Sequence, residues 1–153
     1  MEKSPQQSKA EMMIRMFPSD ANPAGNVFGG EILQQIDTVA GIVAQRHCGT
    51  NVVTASIDRV NFLKPVFVGD VLVLHARLNY VHKSSMEIEI KVEAENPLKD
   101  TRNLTGTAFV TMVSLDRDGH PKKAPDLVLE SEEDKRKFAE GKARMEQRVK
   151  ERN

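Results

Sequence analysis

The groups best suited to chemistry lie between residues 22 and 48. The run Asn22-Pro23-Ala24-Gly25-Asn26-Val27-Phe28-Gly29-Gly30 leads into a long helical pattern that carries Asp37 and ends near His47-Cys48-Gly49. Pro23 fixes φ and Gly25 tolerates positive φ, so a loop is predicted, and the glycine pair lets a ligand come close to the backbone. The first turns of a helix leave N–H groups without an internal partner and with a partial positive charge. At Gly29 or Gly30 such donors suit a developing oxyanion, for instance a polarised carbonyl oxygen.

Ile32, Leu33, Ile36, Val39, Ala40, Val43, Ala44 and His47 form one wide apolar stripe at 3.6-residue spacing, with Ile42 adding apolar surface on the other side. A helix of this kind must be buried around most of its circumference. Asp37 falls at the edge of the stripe, beside Leu33, Ala44 and Gly41, where the missing side chain of Gly41 leaves room next to the carboxylate. An acid there serves a site, faces a wet groove or caps a neighbouring element.

Other reactive side chains carry weaker signals. Cys48 follows His47 directly, but adjacent helical residues point about 100° apart and cannot form a nucleophile pair. Ser56 lacks Gly-x-Ser-x-Gly surroundings, and Ser84 and Ser85 sit in a turn. His75, His82 and His120 fall on strands or loops, and the single cysteine with four scattered histidines offers no metal cluster. The glycine pair lacks the third glycine of a dinucleotide fingerprint.

The elements that must position these groups follow from the pattern of the chain. The 153 residues suit one domain, and 22 basic against 22 acidic residues leave no net field for nucleic acid or an acidic membrane. No apolar stretch is long enough to span a bilayer, and the polar start lacks the apolar core of a signal peptide, so a cytoplasmic protein is expected. Residues 1–10 are polar and expected to be loose. Residues 11–17 read as a strand stopped by Pro18. After the helix come strands over 51–62, 71–82, 86–95 and 102–115.

Between 71 and 82 the alternation puts Leu72, Leu74, Ala76, Leu78 and Tyr80 on one face. Between 86 and 95, Met86, Ile88, Ile90, Val92 and Ala94 face a dry side, and Glu87, Glu89, Lys91, Glu93 and Glu95 a wet one. The tail, residues 129–153, predicts a charged helix capped by Ser131 and Asp134, with Phe138, Met145 and Val149 as a thin apolar stripe, either solvated or docked on a neighbouring subunit.

One strand, one apolar helix and four further strands in a meander give an α+β chain, with a sheet curled around the helix over residues 11–128. That is the hotdog arrangement. A single layer of sheet on one helix leaves its edges open, so at least a dimer is expected, with sheets joined edge to edge.

The motifs also carry a specific resemblance. Asn22 to Gly30, Gln35-Ile36-Asp37, Ala40-Gly41-Ile42, Arg46-His47-Cys48, Val53-Thr54-Ala55-Ser56, Asn61-Phe62, Lys83 to Glu89 and Glu133-Asp134-Lys135-Arg136 resemble the acyl-CoA thioesterases of the hotdog superfamily. That family includes the brain-type hydrolases and their single-domain bacterial relatives, and the likeness covers residues 11–145. It implies hydrolysis of fatty acyl-CoA to free acid and coenzyme A, with no cofactor and no metal. It also implies a homodimer, assembled as a trimer of dimers, in which Asn22 of one subunit and Asp37 of the other serve one site.

Asp37 would act as general base or as nucleophile, and Asn22 would position the water or bond the oxygen. Glu31 departs from the bulky aromatic of some bacterial relatives and bears on acyl preference. Coenzyme A phosphates call for cations and hydroxyls at turns, making Arg59, Lys64, Lys83, Ser84 and Ser85 the candidates. The rival reading is a non-catalytic hotdog module that binds acyl-CoA as sensor or scaffold. A hydratase on the same fold would want a histidine in the site.

Overall fold

The computed structural model describes residues 2–152; Met1 and Asn153 lie outside it. In order, the chain forms a short helix α1 (Pro5–Ser8), strand β1 (Ala10–Arg15), the long helix α2 (Gly29–Cys48) and strand β2 (Asn51–Phe62). Strands β3 (Val71–His82), β4 (Ser85–Asn96) and β5 (Thr101–Leu115) follow, and helix α3 (Glu132–Arg152) closes it. The strands make one antiparallel sheet in the order β1-β3-β4-β5-β2.

The apolar stripe decides where α2 sits. Ile36, Val39, Ala40, Val43 and Ala44 are fully buried against Leu72, Leu74, Leu78, Ile88, Ile90 and Val110. The helix touches all five strands, which is the curled sheet expected. Gly49, at φ +67, ends it in a left-handed cap with its N–H on the Gln45 carbonyl.

The meander is corrected in one respect. β3, β4 and β5 follow one another across the sheet, but β2 lies at the far edge beside β5. Lys83 and Ser84 suffice to turn β3 into β4, whereas residues 63–70 must cross the sheet. They pass over the start of α2, pinned by buried Val66 and by Val27 N–H on the Val66 carbonyl at 2.8 Å.

The wet face is corrected too. Glu87 is 1% exposed, because α3 lies across the outer surface of the sheet. Asp134, Lys137, Gly141, Arg144 and Arg148 recur every three or four residues, so they form one helical stripe, and this charged stripe is the docked one. Arg77 meets Asp134 at 2.6 Å, Lys137 meets Glu89 at 2.5 Å and Arg148 meets Asp58 at 2.7 Å. Arg144 grips Glu87 with two bonds, at 2.7 and 2.9 Å, and stacks 3.8 Å from the Phe109 ring. Charges on strand and helix thus cover one another, and α3 docks on its own sheet instead of standing free in solvent. The capping box is present, with Asp134 N–H donating to Ser131 Oγ and Ser131 N–H to Asp134 Oδ2.

Tyr80 also faces the other way from the alternation. A register shift between Leu78 and Tyr80 inserts Asn79 as a bulge, which flips the phase of every later side chain. Tyr80 therefore points out to α3, where it meets Phe138 edge-on at 4.8 Å. The helix can come this close because residue 141 is glycine. A Cβ there would lie 2.7 Å from Tyr80 Cβ and 3.0 Å from Glu87 Oε1. Tyr80 Cβ is fixed to the strand backbone and cannot retreat. Gly141→Ala is expected to lift α3 and cost about 1–3 kcal/mol by denaturant titration, although alanine is the better helix former.

The dock also responds to acid. Burial pushes the Glu89 and Asp134 carboxyls up, but Lys137 and Asn79 beside the first outweigh it. The Glu130 N–H, Gln6 and Arg77 do the same beside the second, so both carboxyls end below their usual range. The folded state then binds fewer protons than the unfolded one. Its stabilisation is complete above the unfolded values near about pH 4 and fades as pH falls through the depressed ones. From these groups the denaturation midpoint is expected to hold between about pH 7 and about 5 and to drop near about pH 3.

Residues 1–10 are not loose where they are described. Ser4 and Ser8 are buried, Lys3 pairs its backbone with Asp126 and Val128, and its ammonium donates to the Arg46 carbonyl at 2.9 Å. Polar composition concealed this, because the contacts are made by backbone and small hydroxyls.

Candidate functional site

The Asn22 loop is closed by its own hydrogen bonds. Asn22 N–H donates to the Asn26 carbonyl at 2.6 Å, and Gly25, at φ +91, donates to the Asn22 carbonyl at 3.0 Å. The Asn22 side chain then accepts at Oδ1 from the N–H groups of Ala24 and Asn26, at 3.0 and 3.2 Å. Its oxygen is committed to the loop, which leaves Nδ2 as a donor.

At the start of α2 the first bonds to the Phe28 carbonyl come from Glu31 and Ile32. Gly29 and Gly30 N–H therefore have no acceptor within the helix. The space around Gly30 is open, while Phe62 closes over Gly29.

Asp37 is half-buried on the side of α2 facing β2. Thr54 Oγ donates to its Oδ1 at 2.6 Å, and Met112 Sδ lies 3.3 Å from the same hydroxyl. The bond fixes the carboxylate plane and leaves Oδ2 uncommitted. In the sequence Thr54 belongs to the Val53-Thr54-Ala55-Ser56 motif but has no assigned role, since a threonine among β-branched neighbours reads as a strand former. Only the packing of α2 on β2 brings it to Asp37.

Within one protomer, the hydrogen bond to Asp37 comes from Thr54 and not from the loop that precedes its helix. From Gly29 to Asp37 the helix rises about 12 Å, more than two turns. The two halves of the candidate site lie at different heights on α2.

The phosphate-binding candidates fall into two groups. Arg59, at φ +53, occupies a bulge between Asp58 and Asn61, and Lys64 lines a recess of about 270 Å³ with Pro65, Phe67 and Thr101. Lys83, Ser84 and Ser85 form the β3–β4 turn, where the Lys83 and Ser84 carbonyls accept from Ala124 and Ser114. Lys64 abuts Thr105 and Ser84 abuts Ser114, so along β5 Lys64 stands about 30 Å from the turn, and Arg59, next to Asp58 opposite Phe109, about 17 Å. One protomer does not bring all five together. A groove of about 420 Å³ lined by Lys9, Glu11, His75 and Lys91 is on the outer face, with the sheet between it and Asp37.

The remaining titratable groups stand apart. His47 is buried with Nε2 2.6 Å from the Pro125 carbonyl, and burial lowers its pKa. Burial raises the Cys48 thiol. His75 bonds Glu93 at 2.5 Å on the outer face. On the turn after β5, Asp116, Asp118 and His120 bring side-chain ligand atoms within 4.8 Å of one another, with Asp118 and His120 exposed. No helix among the described residues is long and apolar enough to cross a membrane.

Comparison with known proteins gives this geometry its context. The mouse cytosolic acyl coenzyme A thioester hydrolase is 42% identical over 140 residues, 90% of this chain but 36% of the relative. The chain thus spans about a third of that relative's length. An acyl-CoA hydrolase from Staphylococcus aureus, solved with butyryl coenzyme A, coenzyme A and coenzyme A disulfide, superposes with a TM-score of 0.91 at 35% identity. The match covers 99% of this chain and 93% of that one. Variants of the S. aureus enzyme have been solved with alanine in place of an asparagine, an aspartate and a threonine. The intervals between those positions equal the intervals between Asn22, Asp37 and Thr54. An apo-hexameric acyl-CoA thioesterase superposes with a TM-score of 0.93 at 36% identity, covering 99% of this chain and 97% of its own. The thioesterase superfamily itself matches residues 24–100. With its sheet wrapped around one buried helix and this likeness along nearly its whole length, the chain belongs to the thioesterase superfamily and has the hotdog fold.

Proposed function

We propose that the protein hydrolyses fatty acyl-CoA to the free acid and coenzyme A. The observation that carries the reading is the hydrogen bond from Thr54 to Asp37, which orients one carboxylate oxygen and leaves the other free. Asp37 takes a proton from water, the water oxygen bonds the acyl carbon, the C–S bond breaks, and the proton passes to the departing thiolate. Asn22 Nδ2 and the N–H groups of Gly29 and Gly30 stabilise the oxygen that becomes negative. A binding module has no use for a carboxylate beside an electron-rich carbonyl, which argues against a sensor or scaffold.

Asn22 and Asp37 come from opposite subunits of a homodimer. The rise of about 12 Å from Gly29 to Asp37 on one helix, and the separate hydrogen-bond partners of Asn22 and Asp37, support this. So does the long edge strand β2, where Val53 and Phe62 are about half exposed. Three such dimers make a hexamer, as the hexameric relative suggests. Within that assembly Arg59, Lys64, Lys83, Ser84 and Ser85 hold the coenzyme, the two groups coming from different subunits. The mouse relative's cytosolic name supports a cytoplasmic location. The test is release of free thiol from a panel of acyl-CoAs by the purified protein. Tight binding of acyl-CoA without thiol release would overturn hydrolysis.

A further inference from the structure

Glu31 is the acid in the first turn of α2, directly after Gly29 and Gly30. Side chains on a helix lean toward its N-terminus, and a glutamate at this position ordinarily reaches back to the unpaired N–H groups there. The Phe28 N–H is taken by the Asp20 carbonyl at 2.9 Å, so the donors left within its reach are those of Gly29 and Gly30. The carboxylate is turned the other way. Gln35, one turn further along, donates from Nε2 to Glu31 Oε1 at 3.0 Å. Gln35 is 9% exposed, so packing fixes its side chain, whereas Glu31 is only half-buried and has room to swing.

A carboxylate competes with a substrate for such donors. It carries its charge from the outset, while a thioester oxygen gains charge only in the transition state, so an unrestrained Glu31 would occupy the N–H groups first. We propose that Gln35 is a positioning residue that holds the Glu31 carboxylate back from the Gly29 and Gly30 N–H groups and so keeps them open for the substrate's oxygen. This rests on the reading that those two groups stabilise the oxyanion.

Gln35→Met keeps the length and burial of the side chain and removes only its donor. Glu31→Asp leaves the buried position untouched and shortens the arm out of Gln35's reach, so it stands in should Gln35→Met fail to fold. In either variant kcat for thiol release from acyl-CoA is expected to fall about tenfold with KM little changed. Adding Glu31→Gln to Gln35→Met removes the competing charge and is expected to restore the wild-type rate. The second readout needs no turnover. With the nine glycines labelled with nitrogen-15, the Gly29 and Gly30 amide protons are expected to move downfield in Gln35→Met and to return in the double variant. Unmoved amides in the folded single variants, or a loss of rate that Glu31→Gln does not repair, would overturn the proposal and leave an ordinary i,i+4 pair. Amides that move and return in a protein whose wild type releases no thiol would overturn hydrolysis and uphold the restraint on Glu31.

Discussion

Asp37→Ala is expected to lower thiol release from acyl-CoA about a thousandfold while the protein stays folded. General-base catalysis contributes on the order of a hundredfold to ten-thousandfold, so loss of the Asp37 carboxylate removes about 4 kcal/mol of transition-state stabilisation. Stability should change little. The substitution removes one hydrogen bond at a half-buried position, worth about 1 kcal/mol, and alanine recovers part of that as the better helix former. Thr54→Ala leaves the carboxylate in place but frees it to rotate, and is expected to cost about tenfold to a hundredfold, mainly in kcat. The double variant should be no slower than Asp37→Ala alone, because Thr54 acts only through that carboxylate. Asp37→Ala retaining a tenth of the wild-type rate would remove Asp37 from the mechanism.

Much of this arrangement is legible in the sequence because it is local. The loop from Asn22 to Gly30 carries its own turn chemistry in Pro23 and Gly25, and the stripe from Ile32 to His47 fixes which face of α2 is buried. Asp37 stands out as the acid on the rim of that stripe. The alternation in β4 marks its dry face correctly. Its other face misleads, because the charges of Glu87 and Glu89 are matched by Arg144 and Lys137 more than forty residues away. A ladder of acids on a strand and a run of cations on a distant helix each read as solvated until the fold brings them together. Tyr80 was misplaced for a different reason, since one inserted residue at Asn79 reverses the period-two pattern without altering composition. Thr54 lies in a motif of the resemblance without anything there that marks its role, and Gly141 carries no sequence signal of its own. One is a hydroxyl at the right height, and the other an absence of atoms where a helix crosses a strand.

Mixing two inactive variants is expected to restore activity to about a quarter of wild type. Asn22→Asp is suited to the first, since its carboxylate still accepts from the Ala24 and Asn26 N–H groups that close the loop. It exchanges only the outward donor for an acceptor, which repels a developing oxyanion and should cost at least about a hundredfold. Asp37→Ala is the second. In a homodimer of either variant both sites lack one partner. In a mixed dimer one site combines the defective Asn22 loop with the missing carboxylate, and the other combines an intact loop with an intact Asp37. Random exchange makes about half of the dimers mixed, each with one working site of two, hence the quarter. The recovered sites should show the wild-type KM, because each is complete. Were the loop to serve Asp37 of its own chain, every site in every mixture would carry a lesion and no activity would return. Mixed dimers identified by native mass spectrometry, yet inactive, would therefore place the site within one protomer, against the rise of about 12 Å along α2 that separates its two halves.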